Sequence, residues 1–349
     1  MKSKVRLTFA LLVLSTLFIS AAGADYTKNI RKSWPKSTVT ALKVTNKFGG
    51  IKINDMGGDS VTIKVVITVE NSSEKRAKEQ LEKIQIEFQK TGGLAIAETK
   101  NVDTRVEEGT TKQSFTIDYM INIPKDRDLE IINRYGNVVI NELEAKGTFN
   151  VSYGNMTAGK LKSPAGSPVN IEINYGKADI ESINEANMVF KYSKLYAGEV
   201  GQLVLDSKYS TVNIHKIKNL TLDSKYDGFN IDEIENLKSL SKYTNYKIEL
   251  LTRSFDLDNG YGSVRISKVD SKFDNIHIES SYGGIDIGLN ELSYKLQSKC
   301  SYCNIDFPTD RFKGDKISEK QNLSIKGNVG TGGGSVSINS RYGGVKLTE

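Results

Sequence analysis

Residues 201–251 read GQLVLDSKYSTVNIHKI, KNLTLDSKYDGFNIDEI and ENLKSLSKYTNYKIELL, three consecutive blocks of equal length (201–217, 218–234 and 235–251) without a gap. Two earlier blocks, which begin at Ser167 and Asn184, continue the same phase. The ninth residue of each block is a tyrosine, which gives Tyr175, Tyr192, Tyr209, Tyr226 and Tyr243. A fixed period of this kind indicates a repeat architecture, in which each unit buries its apolar side against the next unit.

The apolar residues of a block alternate and then change phase. Leu203 and Leu205 share one face of a strand, and Val212 and Ile214 restart the alternation after a turn. Each block therefore predicts two short strands and a corner, wound once around an axis, with successive blocks about 4.8 Å apart. Equivalent side chains would form two core ladders: Val169, Ala186, Leu203, Leu220, Leu237, and Ile180, Ala197, Ile214, Ile231, Ile248. The predicted fold is mainly β, a single-stranded β-helix or β-solenoid.

Looser copies of the corner extend the series in both directions. They are Tyr135-Gly136, Tyr153-Gly154, Tyr261-Gly262, Tyr282-Gly283, Tyr302-Cys303 and Tyr342-Gly343, with an early copy at Phe48-Gly49. We assign residues 128–349 to the solenoid, in repeats of 17–22 residues, and expect an irregular stretch at 308–335, where the spacing breaks. We also expect each tyrosine ring to close the end of the core and to stack on its neighbours.

The N-terminal third departs from this period. Residues 38–127 alternate as strands and include a helical segment that starts at Ser72 or Ser73 and runs to Lys83. This region predicts a small α+β cap over the first repeat, since an open sheet edge recruits other strands. Residues 25–37 are expected to be a flexible start of the mature chain.

Residues 1–24 have the order of a secretory signal peptide. Lys2, Lys4 and Arg6 precede a short apolar run, and small residues follow, so we expect cleavage after Ala24. Cleavage removes three basic residues and no acidic one, which lowers the formal net charge from +6 to +3. A chain this mildly basic is not typical of nucleic-acid binders, and no later stretch is long and apolar enough for a transmembrane helix. The expected location is the periplasm or the cell surface.

Two segments, INIPKDRDLEIINRYGNVVI at 121–140 and VSYGNMTAGKL at 151–161, resemble the bacterial "putative adhesin" family of exported β-strand-repeat proteins, a domain of unknown function. KVTNKFGGIKI at 43–53 adds to the resemblance, which covers roughly residues 38–349. The resemblance implies export and a repeat fold. It carries no catalytic or ligand-binding residues onto this sequence.

Cys300 and Cys303 are the only cysteines, and the equivalent positions of other repeats lack them. In an oxidising compartment they are candidates for a disulfide across one corner. Free thiols and redox activity are the alternatives. Redox chemistry is less favoured, because a reactive C-x-x-C thiolate relies on a helix N-terminus and this segment has the pattern of strand, turn, strand.

The outward lysines Lys191, Lys208, Lys225 and Lys242 recur with the repeat. Ammonium groups at about 5 Å repel one another unless anions compensate. Asp206 and Asp223 are candidates for that role, which would make this an ordinary solvated face. The alternative is a site for an anionic glycan.

One acidic cluster is a candidate calcium site and consists of Asp227, Asp232, Glu233 and Glu235. Its spacing matches no calcium-binding loop. His215 and His277 fall in different repeats without an accompanying nucleophile or ligand set. We therefore predict no catalytic residue, no cofactor and no metal.

The preferred hypothesis is a non-enzymatic exported protein, an adhesin-like binding or envelope-scaffold module, whose partner is a glycan or another cell-envelope component. One alternative is a polysaccharide-active β-helix enzyme, since some parallel β-helices use carboxylates and basic residues on one face. A periplasmic regulatory or stress-response component is the other. The sequence leaves the oligomeric state open.

Overall fold

The computed structural model describes residues 15–19, 25–55, 58–100 and 114–348. Within these ranges there are 27 β-strands, one α-helix and one short 3₁₀ helix, and the strands form one long mixed sheet. The prediction of a mainly β chain with one helix is confirmed. In the described part, no helix is long and apolar enough to cross a membrane.

The strands of the N-terminal third surround one antiparallel group. In this group, β5 pairs with β2 on one side and with β8 on the other, and its residues Val61, Ile63 and Val65 are fully buried. The strands are β1 (Ser15–Ile19), β2 (Asp25–Pro35), β3 (Ala41–Lys47), β4 (Ile51–Asn54), β5 (Ser60–Glu70), β6 (Gln85–Thr91), β7 (Leu94–Lys100) and β8 (Ser114–Asn122), and the 3₁₀ helix is Lys36–Thr38.

The predicted helix is present as α1, Glu74–Lys83. The Ser73 side chain accepts a hydrogen bond from the backbone N–H of Arg76, as an N-cap does. Ala77 and Leu81 are buried, and the helix packs on β5 and β2. Its other residues are polar, which explains why it lies on the surface of the sheet.

Residues 25–37 are not the flexible segment expected from the sequence. Asp25–Pro35 forms β2, which pairs along its whole length with β5, and Ile30 and Trp34 are buried. Their burial against the antiparallel group outweighs the polar composition of the segment. The predicted signal peptide lies outside the described residues except for Ser15–Ile19, which pairs with β2 as β1.

The repeats form parallel, in-register strands. The five strands β14 to β18 are each 15 residues long, and two-residue corners such as Tyr192-Ser193 join them. Lys177, Lys194, Thr211 and Gly228 are successive register partners, so each residue lies beside the equivalent residue of the next repeat. The strands are β9 (Asp128–Arg134), β10 (Val138–Leu143), β11 (Gly147–Ser152), β12 (Asn155–Leu161), β13 (Val169–Asn174), β14 (Lys177–Lys191), β15 (Lys194–Lys208), β16 (Thr211–Lys225), β17 (Gly228–Lys242) and β18 (Asn245–Asn259).

The two predicted core ladders are present. Val169, Ala186, Leu203, Leu220 and Leu237 are successive register partners and are buried, as are Ile180, Ala197, Ile214, Ile231 and Ile248. A register shift between Ile234 and Asn236 in the pairing of β17 with β18 lengthens the next spacing by one residue, which separates Tyr243 from Tyr261 by 18. The period is thus a consequence of strand pairing and changes where the pairing bulges.

The C-terminal strands do not follow sequence order. β26 lies between β20 and β22 and is parallel to both, while β27 lies between β21 and β23. The strands are β19 (Val264–Val269), β20 (Asn275–Ser281), β21 (Ile285–Gly288), β22 (Tyr294–Ser301), β23 (Ile305–Asp306), β24 (Phe312–Glu319), β25 (Asn322–Val329), β26 (Gly334–Arg341) and β27 (Val345–Thr348).

The irregular stretch expected at 308–335 is an ordered hairpin instead. β24 pairs antiparallel with β25, and β25 pairs antiparallel with β22. Ile325 and Val329 of β25 are buried, and this burial holds the hairpin on the sheet. The broken spacing reflects a reversal of chain direction and not a loss of structure.

Candidate binding surface

One row of aromatic rings follows the corners between strands. Neighbouring ring centroids are 4.6–5.1 Å apart, and the ring planes lie within 17° of parallel. In spatial order the twelve members are Phe48, Tyr135, Tyr153, Tyr175, Tyr192, Tyr209, Tyr226, Tyr243, Tyr261, Tyr282, Tyr342 and Tyr302. We call this row the aromatic ladder. The five tyrosines of the regular repeat form its centre.

The backbone at the ladder is left-handed. Eleven of the twelve ring residues have a positive φ, for example 54° at Tyr209, and Tyr261 is the exception. For an L-residue this conformation costs about 1–2 kcal/mol, and stacking of aromatic pairs, at about 0.5–1.5 kcal/mol each, offsets the cost. The left-handed backbone turns the side chains outward, so ten of the tyrosines are 41–56% exposed. The expectation that the rings close the core is therefore wrong.

The residue after each ring closes the core instead. In the outer repeats it is glycine, except for Cys303 after Tyr302; glycine is needed because a Cβ at Gly154 would lie 2.0 Å from the carbonyl oxygen of Gly136. In the central repeats it is polar and buried: Ser193, Ser210, Asp227 and Thr244.

The buried polar residues bond to one another from repeat to repeat. The backbone N–H of Ser210 donates to Oδ1 of Asp227 at 2.6 Å, and the hydroxyl of Ser224 donates to Oδ2 at 2.6 Å. Burial raises the pKa of the Asp227 carboxyl, and the hydrogen bond from Ser224 opposes that rise. The central corners therefore contain a buried carboxyl group that the outer corners lack.

A second row, directly before the rings, is basic. Lys191, Lys208, Lys225 and Lys242 are register partners in it, as the sequence repeat predicted. Lys47, Arg134 and Arg341 occupy the same place before Phe48, Tyr135 and Tyr342. The other five members are uncharged: Ser152, Asn174, Gly260, Ser281 and Ser301. We call these twelve residues the basic row. The sequence period predicted only its four central lysines, although the other members could have been identified as the residues directly before the aromatic corners.

The central lysines lack the compensation that the sequence suggested. In the described part of the chain, no carboxylate oxygen lies within 4.0 Å of the ammonium groups of Lys191, Lys208, Lys225 and Lys242. Asp206 and Asp223 are register partners of each other but form no ion pair with these lysines. Elsewhere on the sheet, Lys216 contacts Glu233 and Lys247 contacts Glu249, each at 2.8 Å. The centre of the basic row is thus a line of four lysines without ion pairs to described carboxylates, beside exposed rings.

Cys300 and Cys303 are joined by a disulfide, with their Cα atoms 5.5 Å apart. The pair flanks Tyr302, the last ring of the aromatic ladder, and Cys300 is buried. The segment is strand, corner, strand, and the one α-helix among the described residues, Glu74–Lys83, belongs to the N-terminal third. This geometry lacks the element that lowers the pKa of a redox thiol.

The acidic residues considered for calcium do not converge. Asp227 is buried among serines, Asp232 contacts His215 at 2.8 Å, and Glu233 contacts Lys216. His277 lies on another strand and faces Glu279 at 3.7 Å. Among the described residues, no three His, Cys, Asp or Glu side chains are placed to share a metal ion.

The titratable groups with altered pKa values are dispersed. Lys125 lowers the pKa of Glu142, and Lys247 lowers that of Glu249, both as surface ion pairs. Burial raises the pKa of Tyr246 to about 12 and also raises that of Tyr119. In catalytic sites, groups with altered pKa values lie together in one cleft. The groups named here do not.

The fold and surface define a mainly β repeat chain with a long aromatic and basic stripe. No family model and no curated protein matches it. It is similar to a solved "putative cell adhesion protein" from Clostridium sporogenes, at 10% identity, 92% coverage of this chain, 99% of that one and a TM-score of 0.23.

Two solved proteins from Parabacteroides distasonis are also similar. A "putative adhesin" has 12% identity, covers 74% of this chain and 97% of its own, and has a TM-score of 0.33. A "putative lipid binding protein" has 13% identity, 74% and 95% coverage, and a TM-score of 0.28. The adhesin names are those that the sequence resemblance indicated. What this chain binds has to come from its own residues.

Proposed function

We propose that residues 128–349 wind as a single-stranded β-solenoid, with residues 38–127 as its N-terminal cap. Lys177 and Lys191 are the first and last residues of β14. Lys191 is three residues before Lys194, and Lys194 pairs with Lys177. The two ends of β14 thus lie within about 15 Å of each other. A straight strand of this length would separate them by roughly 46 Å. This difference supports one complete circuit of the backbone in each repeat.

The function that we infer is that of an exported, non-enzymatic binding or envelope-scaffold protein, located in the periplasm or on the cell surface. The signal-peptide pattern at 1–24 supports export. The observation that carries the binding role is the unpaired basic row beside the exposed aromatic ladder. A rigid repeat surface presents both rows at a constant spacing, which suits a polymer better than a small molecule.

The partner that this stripe suits is an anionic glycan of the cell envelope. A repeating carboxylate or phosphate would relieve the repulsion between Lys191, Lys208, Lys225 and Lys242. The exposed faces and edges of the tyrosine rings offer apolar contact, and their hydroxyl groups offer hydrogen bonds. Elsewhere on the sheet, Lys43, Lys125, Lys216 and Lys247 are each paired with a glutamate, which compensates their charge.

A charge-matched comparison tests the proposal. Replacement of Lys191, Lys208, Lys225 and Lys242 by Gln should weaken binding of polygalacturonate by about tenfold or more, with a strong salt dependence. The control replaces the ion-paired lysines Lys43, Lys125, Lys216 and Lys247 by Gln, which changes the net charge equally. Equal loss in both variants, or no binding by the wild-type protein, would contradict the role of the stripe.

The same experiment addresses the enzymatic alternative. Polygalacturonate incubated with the protein is assayed for unsaturated or reducing sugar ends. We expect none, because the described residues present no convergent acid and base with altered pKa values. Sustained release of such ends would replace the binding role with that of a polysaccharide-active enzyme.

A further inference from the structure

A shallow depression lies on the outer surface of the sheet, away from the aromatic ladder. Its volume is about 760 Å³, and it crosses six successive repeats, from Asn141 to Asp232. Successive strands are about 4.8 Å apart, so the depression is roughly 24 Å long. That length accommodates a short chain of sugar rings better than a single one.

The depression contains one aromatic side chain. Tyr196 is 42% exposed, and its register partners, Asp179 on one side and Asn213 on the other, are polar. Lys177 holds the ring in place: its Nζ lies 5.6 Å from the ring centroid and 3.2 Å from an oxygen of Asp179. Gly198 is two residues further along the strand, and glycine is needed there because a Cβ would lie 2.3 Å from the carbonyl oxygen of Glu181.

The charge of the depression is opposite to that of the stripe. Asp179, Glu181 and Asp232 line it; Lys177 is paired with Asp179 at 3.2 Å, and His215 contacts Asp232 at 2.8 Å. An acidic surface repels a polyanion. Carboxylates and amides are also good partners for hydroxyl groups, since both accept hydrogen bonds and amides donate them as well.

We propose that this depression binds an uncharged oligosaccharide. Tyr196 stacks on the apolar face of one sugar ring, and Asn213, Asn230 and Asp232 bond to the hydroxyl groups of its neighbours. A concave, partly apolar surface with one aromatic ring and a few polar groups is the usual composition of a ligand site. This site is separate from the stripe and does not depend on the anionic-glycan proposal.

The test is calorimetric titration with three neutral hexasaccharides, of β-1,4-linked glucose, N-acetylglucosamine and mannose. At least one should bind, and Tyr196→Ala should weaken that binding by about tenfold or more, while Tyr196→Phe stays near the wild type. Tyr243→Ala removes a ring of nearly the same exposure, 41%, from the aromatic ladder and should bind like the wild type. The lysine-to-glutamine variant of the stripe should also retain the binding, which separates the two sites.

Two outcomes would overturn the proposal. One is the absence of saturable binding of all three probes at millimolar concentration. The other is equal affinity of the wild type and of Tyr196→Ala, with circular dichroism showing that the variant is folded.

Discussion

The central and the C-terminal repeats carry the same apolar alternation but are assembled differently. In β14 to β18, each strand pairs with the strand that precedes it and the strand that follows it in sequence. At the C-terminal end, β26 inserts between β20 and β22, so Tyr342 stacks between Tyr282 and Tyr302. A repeat period therefore identifies the structural unit, while the order of the units in space depends on the connections between them.

The two regions also differ in what lies beside their strands. Each central strand is covered on both sides by another repeat, whereas the C-terminal end finishes in the antiparallel hairpin of β24 and β25. β24 is almost entirely exposed and carries Lys313, Asp315 and Lys316. Charged residues on an edge strand oppose pairing with further strands. The hairpin is therefore a cap, and its contribution to stability should be smaller than that of the central core.

The largest expected effect compares a core residue with a hairpin residue. Ile231→Ala removes a fully buried side chain from the central ladder and should lower the free energy of unfolding by about 2–5 kcal/mol. Ile317→Ala in β24 removes a side chain that is 53% exposed and should change it by less than about 0.5 kcal/mol. Urea denaturation measures both. Equal effects would mean that the hairpin is part of the core.

The corners of the outer repeats should be sensitive to a single methyl group. Gly154→Ala places a Cβ against the carbonyl oxygen of Gly136, and we expect a loss of about 1–3 kcal/mol, measured by thermal unfolding. Gly228→Ala is the matched change in a central strand, where no atom lies within 4 Å of the new Cβ. It should be neutral or slightly stabilising. An unchanged melting temperature of the Gly154→Ala variant would disprove the close approach of neighbouring corners.

Two variants of one ring separate stacking from backbone strain. Tyr209→Ala loses the stacking on Tyr192 and Tyr226 and keeps the left-handed backbone, so it should cost about 1–2 kcal/mol. Tyr209→Gly loses the same contacts but relieves the strain, and it should cost about 1 kcal/mol less. The comparison is made by urea denaturation. A glycine variant that is less stable than the alanine variant would contradict backbone strain at Tyr209.

The smallest effect concerns the buried carboxyl group. Because burial raises the pKa of Asp227, its contribution favours the folded state at low pH, where the group is protonated, and is lost as the pH rises through the raised pKa. Asp227→Ser restores the residue found at the Ser210 corner. Its stability relative to the wild type should increase between about pH 4 and neutrality. A constant difference in stability across this pH range would contradict the raised pKa of Asp227.

The sequence predicted the central repeats because three signals coincide there: a gap-free period, alternating apolar residues and a tyrosine at every corner. It could not order the C-terminal strands, since Val336 and Ile338 of β26 have the same alternation as the strands on either side. The sequence pattern also did not predict the hairpin. The reversal of chain direction in β24 and β25 depends on pairing with β22 and is not visible as a period in the sequence.

The surface was only partly predictable. The four central lysines follow from the period, and their lack of ion pairs depends on side-chain geometry that sequence does not give. The depression was missed because its rows combine unlike residues, such as Asp179, Tyr196 and Asn213, that become neighbours only through register.

The most direct test of the stacked repeats measures the register between neighbouring strands. In a chain whose Cys300 and Cys303 are replaced by Ser, cysteines at Thr221 and Lys238, exposed register partners one repeat apart, should form a disulfide readily on mild oxidation. Cysteines at Thr221 and Asp256, which are two strands apart, should not. Efficient cross-linking of the first pair alone is the expected result; equal cross-linking of both pairs, or none of the first, would contradict the stacking of the repeats.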